Sequence, residues 1–250
     1  MDRTKVNMKR IFDIFLSIIG IVITSPLVLF FIVIVFIEDF SSPFYIAKRI
    51  GIKGKEFNII KIRSMFVNAD LNGVDSTAEN DRRITKIGSY IRRYKIDELT
   101  QLLNILLGHM SFVGPRPNVK RDTDLYTKKE LELLKVKPGL TDFSSIIFSD
   151  ESNILAKTVD PDISYNQLIR PWKSKLGLFY IRKSNFFLDI KIIYITFISI
   201  FSRRKSLKMV SHLLKINLAP KELIEISLRK KPLSPAPPPG SDRIIESRNI

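Results

Sequence analysis

The feature that most constrains this chain is a stretch near its start, residues 14–37, that contains no charged residue. A continuous helix over it would be about 36 Å long, enough to cross a hydrocarbon core of about 30 Å. Near the middle of the stretch, however, Ser25 is followed by Pro26. Proline removes a backbone donor and clashes with the preceding turn, so the pattern also allows two helical pieces, 14–25 and 27–37, each too short to cross alone.

Basic residues flank this stretch on both sides, and loops rich in lysine and arginine tend to stay cytoplasmic. A single span would place one flank outside, whereas a re-entrant helix that bends at Ser25-Pro26 returns the chain to the side it came from. Broken backbone is costly in lipid, but the hydroxyls of Thr24 and Ser25 can bond groups that the bend frees. The residues alone leave the kinked span and the re-entrant helix as equal alternatives. The basic flanks are Lys5, Lys9 and Arg10 before the stretch and Lys48, Arg49, Lys53, Lys55 and Lys61 after it.

Composition limits the chemistry that this chain can perform. Its 250 residues suffice for one catalytic-sized domain plus a membrane element. The net charge of +16 suits an anionic leaflet, a nucleotide diphosphate or nucleic acid, but no nucleic-acid-binding module is present, which argues against nucleic acid as a partner. The absence of cysteine excludes disulfides and a cysteine nucleophile, and two histidines, His109 and His212, argue against a histidine metal cage. Carboxylates, arginine, lysine and hydroxyls must therefore carry any reaction.

The rest of the chain divides into a body of catalytic size and a tail of different character. Extended pieces are predicted over 43–62 and a polar loop over 71–81. Apolar residues at helical spacing predict a helix with a basic polar side over 82–94, and an apolar helix over 186–201 that suits the interface or the core. After that helix the chain is basic, and its proline-rich end is expected to lack a fixed fold.

An adjacent acidic pair, Asp97-Glu98, lies at a predicted helix start straight after the basic helix. The leading interpretation from the residues is structural: Asp97 caps a helix that continues to about residue 107, and Glu98 lies in its first turn. The alternative needs an anionic substrate at this N-terminus, where Asp97 could attack phosphorus and Glu98 could hold a divalent ion or water. Arg116, between two prolines, likewise either pairs with an acidic surface group or grips a phosphate.

Short motifs occur in a defined order along residues 5–201. They are KRIFD at 9–13, SP at 25–26, RIG at 49–51, KIRSM at 61–65, IDEL at 96–99 with QLLN at 101–104, GHMSFVGPRP at 108–117, KPGLT at 137–141 and FLDIK at 187–191. The most specific part is DEL followed by MSFVGPRP. In this order the chain resembles the bacterial sugar transferases of the monotopic phosphoglycosyl transferase family.

The resemblance implies a fold and a location. The fold would be a small α/β, mostly helical catalytic domain with interfacial helices, behind an N-terminal re-entrant membrane helix-break-helix with its break at Ser25-Pro26. The chain would divide into a membrane anchor at 1–40, a catalytic domain at 41–201 and a C-terminal extension at 202–250. The location would be the bacterial inner membrane, with the catalytic domain on the cytoplasmic face.

The resemblance also implies a reaction. Similar enzymes transfer a sugar-1-phosphate from a UDP-sugar to polyprenyl (undecaprenyl) phosphate in a ping-pong mechanism, through a covalent aspartyl-phosphosugar, and so initiate surface glycan assembly. Carried onto this chain, this makes Asp97 the nucleophile and Glu98 the ligand of Mg²⁺. Substrate phosphates would be held by Arg92, Arg116, Lys61 and Arg63. Further partners would be the cytoplasmic leaflet and either a second copy of the chain or downstream glycosyltransferases.

One segment departs from the family pattern. Residues 142–150 read DFSSIIFSD where the family commonly continues with Gly-Trp-Ala-Gln-Val. Because this loop is expected to contact the donor, the sugar cannot be inferred by analogy. The departure also keeps open a competing function, a catalytically inert membrane-anchored scaffold of a glycan assembly complex, against which the retained Asp97, Glu98, Arg92 and Arg116 argue.

Overall fold

The computed structural model describes residues 3–69, 77–78 and 81–247. It is mostly helical and contains small sheets, as the sequence predicts. The polar loop predicted over 71–81 lies almost entirely outside the described residues. The elements are α1 (Arg3–Asp39), β1 (Phe44–Ile50), a 3₁₀ turn (Ile52–Gly54), β2 (Glu56–Ile62), α2 (Lys86–Arg93), a 3₁₀ turn (Ile96–Glu98), α3 (Gln101–Leu106), β3 (Ser111–Val113), α4 (Lys120–Asp124), a 3₁₀ helix (Glu130–Lys135), β4 (Gly139–Thr141), α5 (Phe143–Ile147), α6 (Glu151–Leu155), α7 (Pro161–Ser164), a π-helical turn (Tyr165–Ile169), α8 (Arg170–Lys183), α9 (Phe186–Phe201), α10 (Arg203–Ile216) and α11 (Lys221–Ser227).

Helix α1 continues through the predicted break at Ser25-Pro26 as one helical segment. Pro26 has no N–H for the carbonyl of Val22, four residues earlier. The hydroxyl of Ser25 donates to that same carbonyl at 2.9 Å, and the hydroxyl of Thr24 donates to the carbonyl of Gly20 at 2.7 Å. The Ser25 hydroxyl therefore bonds the carbonyl that the proline frees, as predicted, whereas Thr24 bonds a carbonyl that the proline does not free. A side-chain donor replaces the missing backbone donor, so the helix bonds its carbonyls across the proline instead of ending there.

Both ends of α1 contact the same folded body. Near the N-terminal end, Arg10 donates to the carbonyls of Ile105 and Leu106, each at 2.6 Å, and Asp13 accepts from the backbone N–H of Phe112 at 3.1 Å. At the other end, the guanidinium of Arg63 donates twice to Asp39, at 2.5 and 2.6 Å. The helix is therefore attached to the domain by charged and polar bonds at each end.

Between these attachments, much of α1 exposes apolar side chains. By length and composition, residues Met8–Asp39 could cross a membrane. Single apolar residues on a surface need no explanation, but a helix that exposes many of them requires an apolar environment. The exposed apolar residues of this helix include Phe15, Ile18, Val22, Ile23, Leu29, Phe30, Val33, Phe36 and Ile37.

Two small sheets carry the segments around the site. The extended pieces predicted over 43–62 are strands β1 and β2, and the structure pairs them as an antiparallel hairpin, with Phe44 opposite Ile62 and Ile50 opposite Glu56. Strands β3 and β4 are parallel and short. Behind them lies one large apolar core to which α3, α5, α8, α9 and α10 contribute, including the fully buried Ile105, Phe143, Ile147, Leu176, Ile192 and Leu214.

The C-terminal extension differs from expectation, because its described part follows a defined path back across the domain. Helix α10 packs with α9, and Leu223 of α11 is buried in the large core. The proline-rich strap, residues 231–245, then lies on the domain. Ala236 N–H donates to the carbonyl of Gln167 at 3.0 Å, and Thr127 donates to the carbonyl of Pro239 at 2.5 Å. The side-chain amide of Gln167 also donates to the carbonyl of Ile245 at 2.7 Å. Prolines restrict the unfolded chain, so this segment loses little entropy when it docks through these three bonds.

Candidate active site

Asp97 and Glu98 lie in a 3₁₀ turn, Ile96–Glu98, and the α-helix that follows starts only at Gln101. The residue that precedes the turn, Lys95, has a left-handed backbone (φ 55°), and Asp97 makes no capping bond. The predicted helix start at Asp97 is therefore wrong. The reason is a tertiary contact: the Asp97 carboxylate is bonded to Lys61 of strand β2 instead of to the N–H groups of its own turn.

Two polar side chains, Asn104 of α3 and Thr100 directly before it, fix this turn against β2. Asn104 accepts from the N–H of Ile60 at 3.0 Å and donates to the carbonyl of Asn58 at 2.7 Å. Thr100 donates to the carbonyl of Ile60 at 2.9 Å. Because these bonds satisfy backbone groups on one face of the strand, β2 and the acidic turn are held in a single register.

Lys61, the next residue on β2, reaches both carboxylates. Its Nζ lies 3.0 Å from Oδ2 of Asp97 and 3.3 Å from Oε1 of Glu98. The Asp97 side chain is about one tenth exposed. One ammonium group shared by two mostly buried carboxylates offsets their mutual repulsion.

Arg116 completes the cluster from the opposite side. Its guanidinium contacts Oε1 of Glu98, and a second nitrogen lies 3.5 Å from Oε2. The loop that carries it is held closely because Gly114 and Gly139 touch: a Cβ on Gly139 would lie 2.1 Å from the Gly114 nitrogen. Gly139 N–H also donates to the carbonyl of Pro115 at 3.0 Å. Arg116 is thus presented from a loop that cannot shift far.

The same loop is connected to the membrane helix. Lys9 contacts the Asp189 carboxylate of α9 and donates to the carbonyl of Val113 at 3.0 Å. Tyr180 donates to Asp189 at 2.6 Å. Burial raises the pKa of Asp189, and the nearby charge of Lys9 opposes that rise. The KRIFD and FLDIK motifs therefore contact each other beside Val113, which precedes Arg116 by three residues in the chain.

The electrostatics of the cluster favour bound anions. Burial opposes ionisation of Glu98, but the charges of Arg116 and Lys61 together outweigh it, so the pKa of Glu98 lies well below its ordinary value. The Glu98 charge in turn raises the pKa of Arg116. Glu98 and Arg116 therefore hold each other in their charged forms, and the Arg116 side chain is about one third exposed, which leaves it open to a further anion.

Two other predicted phosphate ligands, Arg63 and Arg92, form no hydrogen bond with this cluster in the described part of the chain. Arg63 is buried and donates to Asp39 and to the carbonyl of Ser42, at 2.7 Å for the latter, so its guanidinium is occupied in holding the end of α1. Its predicted role as a phosphate ligand is not supported. Arg92 lies in the last turn of α2, which packs against the acidic turn. Its side chain has no hydrogen bond to any residue in the described part of the chain.

Sequence reasoning missed several groups around the site. Thr100 and Asn104 lie in a segment that is predicted as a helix with a buried stripe of leucines. Polar side chains in such a segment could have indicated their contacts with the neighbouring strand. Lys95 and Glu151 act electrostatically on the cluster, since the former lowers the pKa of Glu98 and the latter raises that of Arg116. Glu151 lies in a segment that sequence patterns left unassigned, and nothing there distinguished it.

This arrangement suits chemistry at phosphorus. A carboxylate that is ionised and accessible can attack, and neighbouring cations can stabilise the charge that develops on phosphate oxygens. Within residues 3–69, 77–78 and 81–247, no cluster of three or more acidic or histidine side chains could enclose a metal by itself.

Comparison with known proteins agrees with this geometry. The protein named uncharacterized sugar transferase EpsL of Bacillus subtilis (strain 168) is 35% identical over 191 residues, 76% of this chain and 85% of that protein. A UDP-glucose:undecaprenyl-phosphate glucose-1-phosphate transferase of Xanthomonas campestris pv. campestris is 33% identical over 208 residues, which are 81% of this chain and 40% of that protein.

A third relative is the UDP-N-acetylgalactosamine-undecaprenyl-phosphate N-acetylgalactosaminephosphotransferase of Aeromonas hydrophila, 29% identical over 177 residues. The match covers 69% of this chain and 42% of that protein, so the chain spans less than half the length of the last two relatives. The family model described as bacterial sugar transferase matches residues 4–203. The match includes the acidic turn, Lys61 and the Arg116 loop, and the chain belongs to the bacterial sugar transferase family.

Proposed function

We propose that this protein is a phosphoglycosyl transferase that moves a sugar-1-phosphate from a UDP-sugar to polyprenyl phosphate at the cytoplasmic leaflet. The observation that carries the proposal is the cluster in which Lys61 and Arg116 hold the carboxylates of Asp97 and Glu98. The relatives named for UDP-glucose and UDP-N-acetylgalactosamine support the class of donor, and their names include undecaprenyl phosphate as acceptor.

The reaction proceeds in two displacements at one phosphorus atom. First, a carboxylate oxygen of Asp97 attacks the sugar-proximal phosphorus, and UMP leaves with the electron pair of the bond that breaks. Next, an oxygen of polyprenyl phosphate attacks the same phosphorus, and Asp97 departs as a carboxylate. Arg116 and Lys61 stabilise the oxygens of the phosphoryl group in both steps, which need little from the protein beyond position and charge.

Mg²⁺ fits the donor set of this site. Glu98 and Asp97 supply adjacent carboxylates, and Mg²⁺ in such sites takes one or two carboxylates together with substrate phosphates and water. Lys61 and Arg116 both contact Glu98 Oε1, and Arg116 makes only a long contact of 3.5 Å with Oε2, so Glu98 retains capacity to bind the ion. When bound, Mg²⁺ would neutralise charge on the diphosphate of the donor. Chelation with EDTA should then stop UMP release, and activity without divalent ions would exclude this role.

The re-entrant arrangement of α1 is part of the proposal. Asp13 near one end and Asp39 at the other both bond to the same domain, which supports placing both ends on one side of the membrane. Pro26 provides the point at which such a helix bends. A hairpin of this kind keeps Asp97 close to the membrane surface, where the phosphate of a lipid carrier can reach it.

The test is an intact-mass measurement after incubation with UDP-sugars and Mg²⁺. The wild type should gain the mass of one phosphosugar and release UMP, whereas Asp97→Asn should do neither. Asp124→Asn, which removes an exposed carboxylate paired with Lys120, is the matched control and should behave as wild type. An adduct that persists in Asp97→Asn would exclude Asp97 as nucleophile. No UMP release across a donor panel would favour the inert scaffold.

A further inference from the structure

A groove runs between α9 and α10, away from the acidic turn. Lys191, Tyr194 and Ile195 of α9 form one wall, and Lys208, His212 and Ile216 of α10 form the other. Its volume is about 470 Å³, within the range of about 300 to 1,000 Å³ that ligand sites occupy. Most of α10 lies beyond the part of the chain that the family model matches.

The polar groups of this groove are all basic or neutral in the part of the chain that the structure describes. Lys191 and Lys208 are exposed, and neither forms an ion pair with a described residue. The nearest acid on α9, Asp189, is buried and is bonded to Lys9 and Tyr180 in the interior. The two ammonium groups therefore act on the groove without a carboxylate to neutralise them, and they favour a ligand with negative charge.

The floor and rim of the groove are apolar. Ile195 is buried at its base, while Ile216 is 59% exposed at its rim. Tyr194 is 55% exposed, and its ring carries a hydroxyl at one end of an apolar body. A side-chain set of this kind suits a ligand with both an apolar part and an anionic head.

The groove is continuous with the membrane-facing surface. Along α9 an exposed apolar stripe repeats every three or four residues, through Phe187, Ile190, Tyr194, Phe197 and Phe201. At the start of α9, the ring of Phe186 packs edge-on against Phe12 of α1, with centroids 5.2 Å apart. The stripe that borders the groove therefore adjoins the apolar helix α1, and lipid is the solvent that both would share.

We propose that the groove between α9 and α10 binds one anionic phospholipid of the membrane. Its phosphate contacts Lys191 and Lys208, with His212 as a hydrogen-bond donor, and an acyl chain lies along Ile195 and Ile216. The bound lipid would fix the C-terminal extension to the leaflet in which the catalytic domain sits. This inference depends on membrane residence but not on the transfer reaction, so it can fail while the proposed function stands.

The experiment is native mass spectrometry of the full chain in detergent, titrated with dioleoyl phosphatidylglycerol. The wild type should retain one lipid with an apparent Kd that rises about tenfold in Lys191→Gln/Lys208→Gln, since each lysine near an anionic lipid contributes about 1 kcal/mol, less in detergent. The control Lys205→Gln/Lys215→Gln removes the same charge from exposed positions of α10 outside the groove and should change the Kd less than about twofold. Ile216→Ser should weaken the binding of the dioleoyl lipid but not that of a dihexanoyl lipid, whose short chains do not reach this residue.

Several results would overturn the inference. Equal retention of phosphatidylcholine and phosphatidylglycerol would exclude charge recognition, and equal losses in the groove and control variants would exclude the groove. Lysine-dependent retention of polyprenyl phosphate but not of phosphatidylglycerol would show that the occupant is the acceptor. Because the substituted lysines are exposed, their variants should melt within about 2 °C of wild type, so that weaker retention reports on binding.

Discussion

Lys61 is the residue that connects both carboxylates of the site. It reaches Asp97 and Glu98 from a strand, and Thr100 and Asn104 hold that strand against the acidic turn. A single cation contacts both acids, and the side chain of the second cation, Arg116, remains partly exposed to a substrate phosphate. The reactivity of Asp97 thus depends on neighbours that are distant in sequence.

Lys61→Met should lower the rate of UMP release by about 100-fold, because one preorganised cation beside phosphorus is lost. Lys61→Arg should recover part of the rate, since it keeps the charge but alters its geometry. Lys48→Met is the control: Lys48 is exposed on the same hairpin and pairs with Glu56. Initial rates with a saturating donor measure the effect, and a rate within twofold of wild type would contradict the assigned role.

Glu98 should make the stability of the protein depend on pH. Its pKa is lowered in the folded state, so its ionised form contributes stability that is complete above its ordinary value of 4.5 and is lost as the pH falls below that value. The melting temperature of wild type should therefore exceed that of Glu98→Gln at pH 7, and the difference should shrink below pH 4.5. The exposed Glu56→Gln is the control. A difference independent of pH would show that the contribution is not ionic.

At the scale of elements, α1 determines where the site lies. Its two ends are bonded to the domain through Arg10, Asp13 and Asp39, while its middle exposes apolar side chains. The Ser25 hydroxyl supplies the hydrogen bond that Pro26 cannot, so the helix can bend without leaving a bare carbonyl in lipid. Anchoring and catalysis are joined at Lys9, which bonds to the strand before the Arg116 loop.

Cysteine labelling can test the topology of α1, because the natural chain has no cysteine. Cysteines introduced by Thr4→Cys and Ser42→Cys should both resist a membrane-impermeant reagent added from the periplasm and react after permeabilisation. Adding Pro26→Ala restores a backbone donor, which should straighten the helix and expose one of the two sites to the reagent. Periplasmic labelling of either cysteine without that change would refute the hairpin.

At the scale of the whole molecule, the C-terminal extension packs against the catalytic domain. Leu223 enters the large core, and the proline-rich strap bonds to Gln167 and Thr127. The strap turns at Gly240, whose φ of +86° is one that residues with a Cβ rarely adopt. The same turn brings Gly240 close to Lys129, where a Cβ would lie 2.9 Å from that of the lysine.

Removal of the strap should lower the thermal stability of the protein without preventing formation of the phosphosugar adduct. Deletion of residues 232–250 should reduce the melting temperature by several degrees and leave the phosphosugar adduct intact, because no strap residue contacts the acidic turn in the described structure. Gly240→Ala should cost about 1 kcal/mol, or about 3 °C, since it strains the turn. Pro235→Ala, at an exposed position, is the control. An unchanged melting temperature for the deletion would show that the strap does not stabilise the domain.

Sequence alone determined the parts of this protein that local pattern encodes. The uncharged stretch at 14–37 indicated apolar helix, either continuous or broken at Pro26, and residues 43–62 indicated extended pieces. Apolar spacing over 186–201 indicated the helix that the structure shows as α9. The motifs around Asp97 and Arg116 indicated the family to which the chain belongs. These features depend on near neighbours in the chain, for which periodicity and turn chemistry are sufficient.

Tertiary structure decided which charges meet. Only the fold brings Lys61 to Asp97 and withdraws Arg63 to Asp39, although both basic residues lie in one motif. Tertiary contacts also place Asp97 in a 3₁₀ turn instead of at the expected helix cap. They hold the proline-rich strap, which composition predicts to lack a fixed fold, against the domain. The physical reason is common to these cases: a charged group takes the partner that relieves its burial, and that partner is chosen by packing over long distances in the chain.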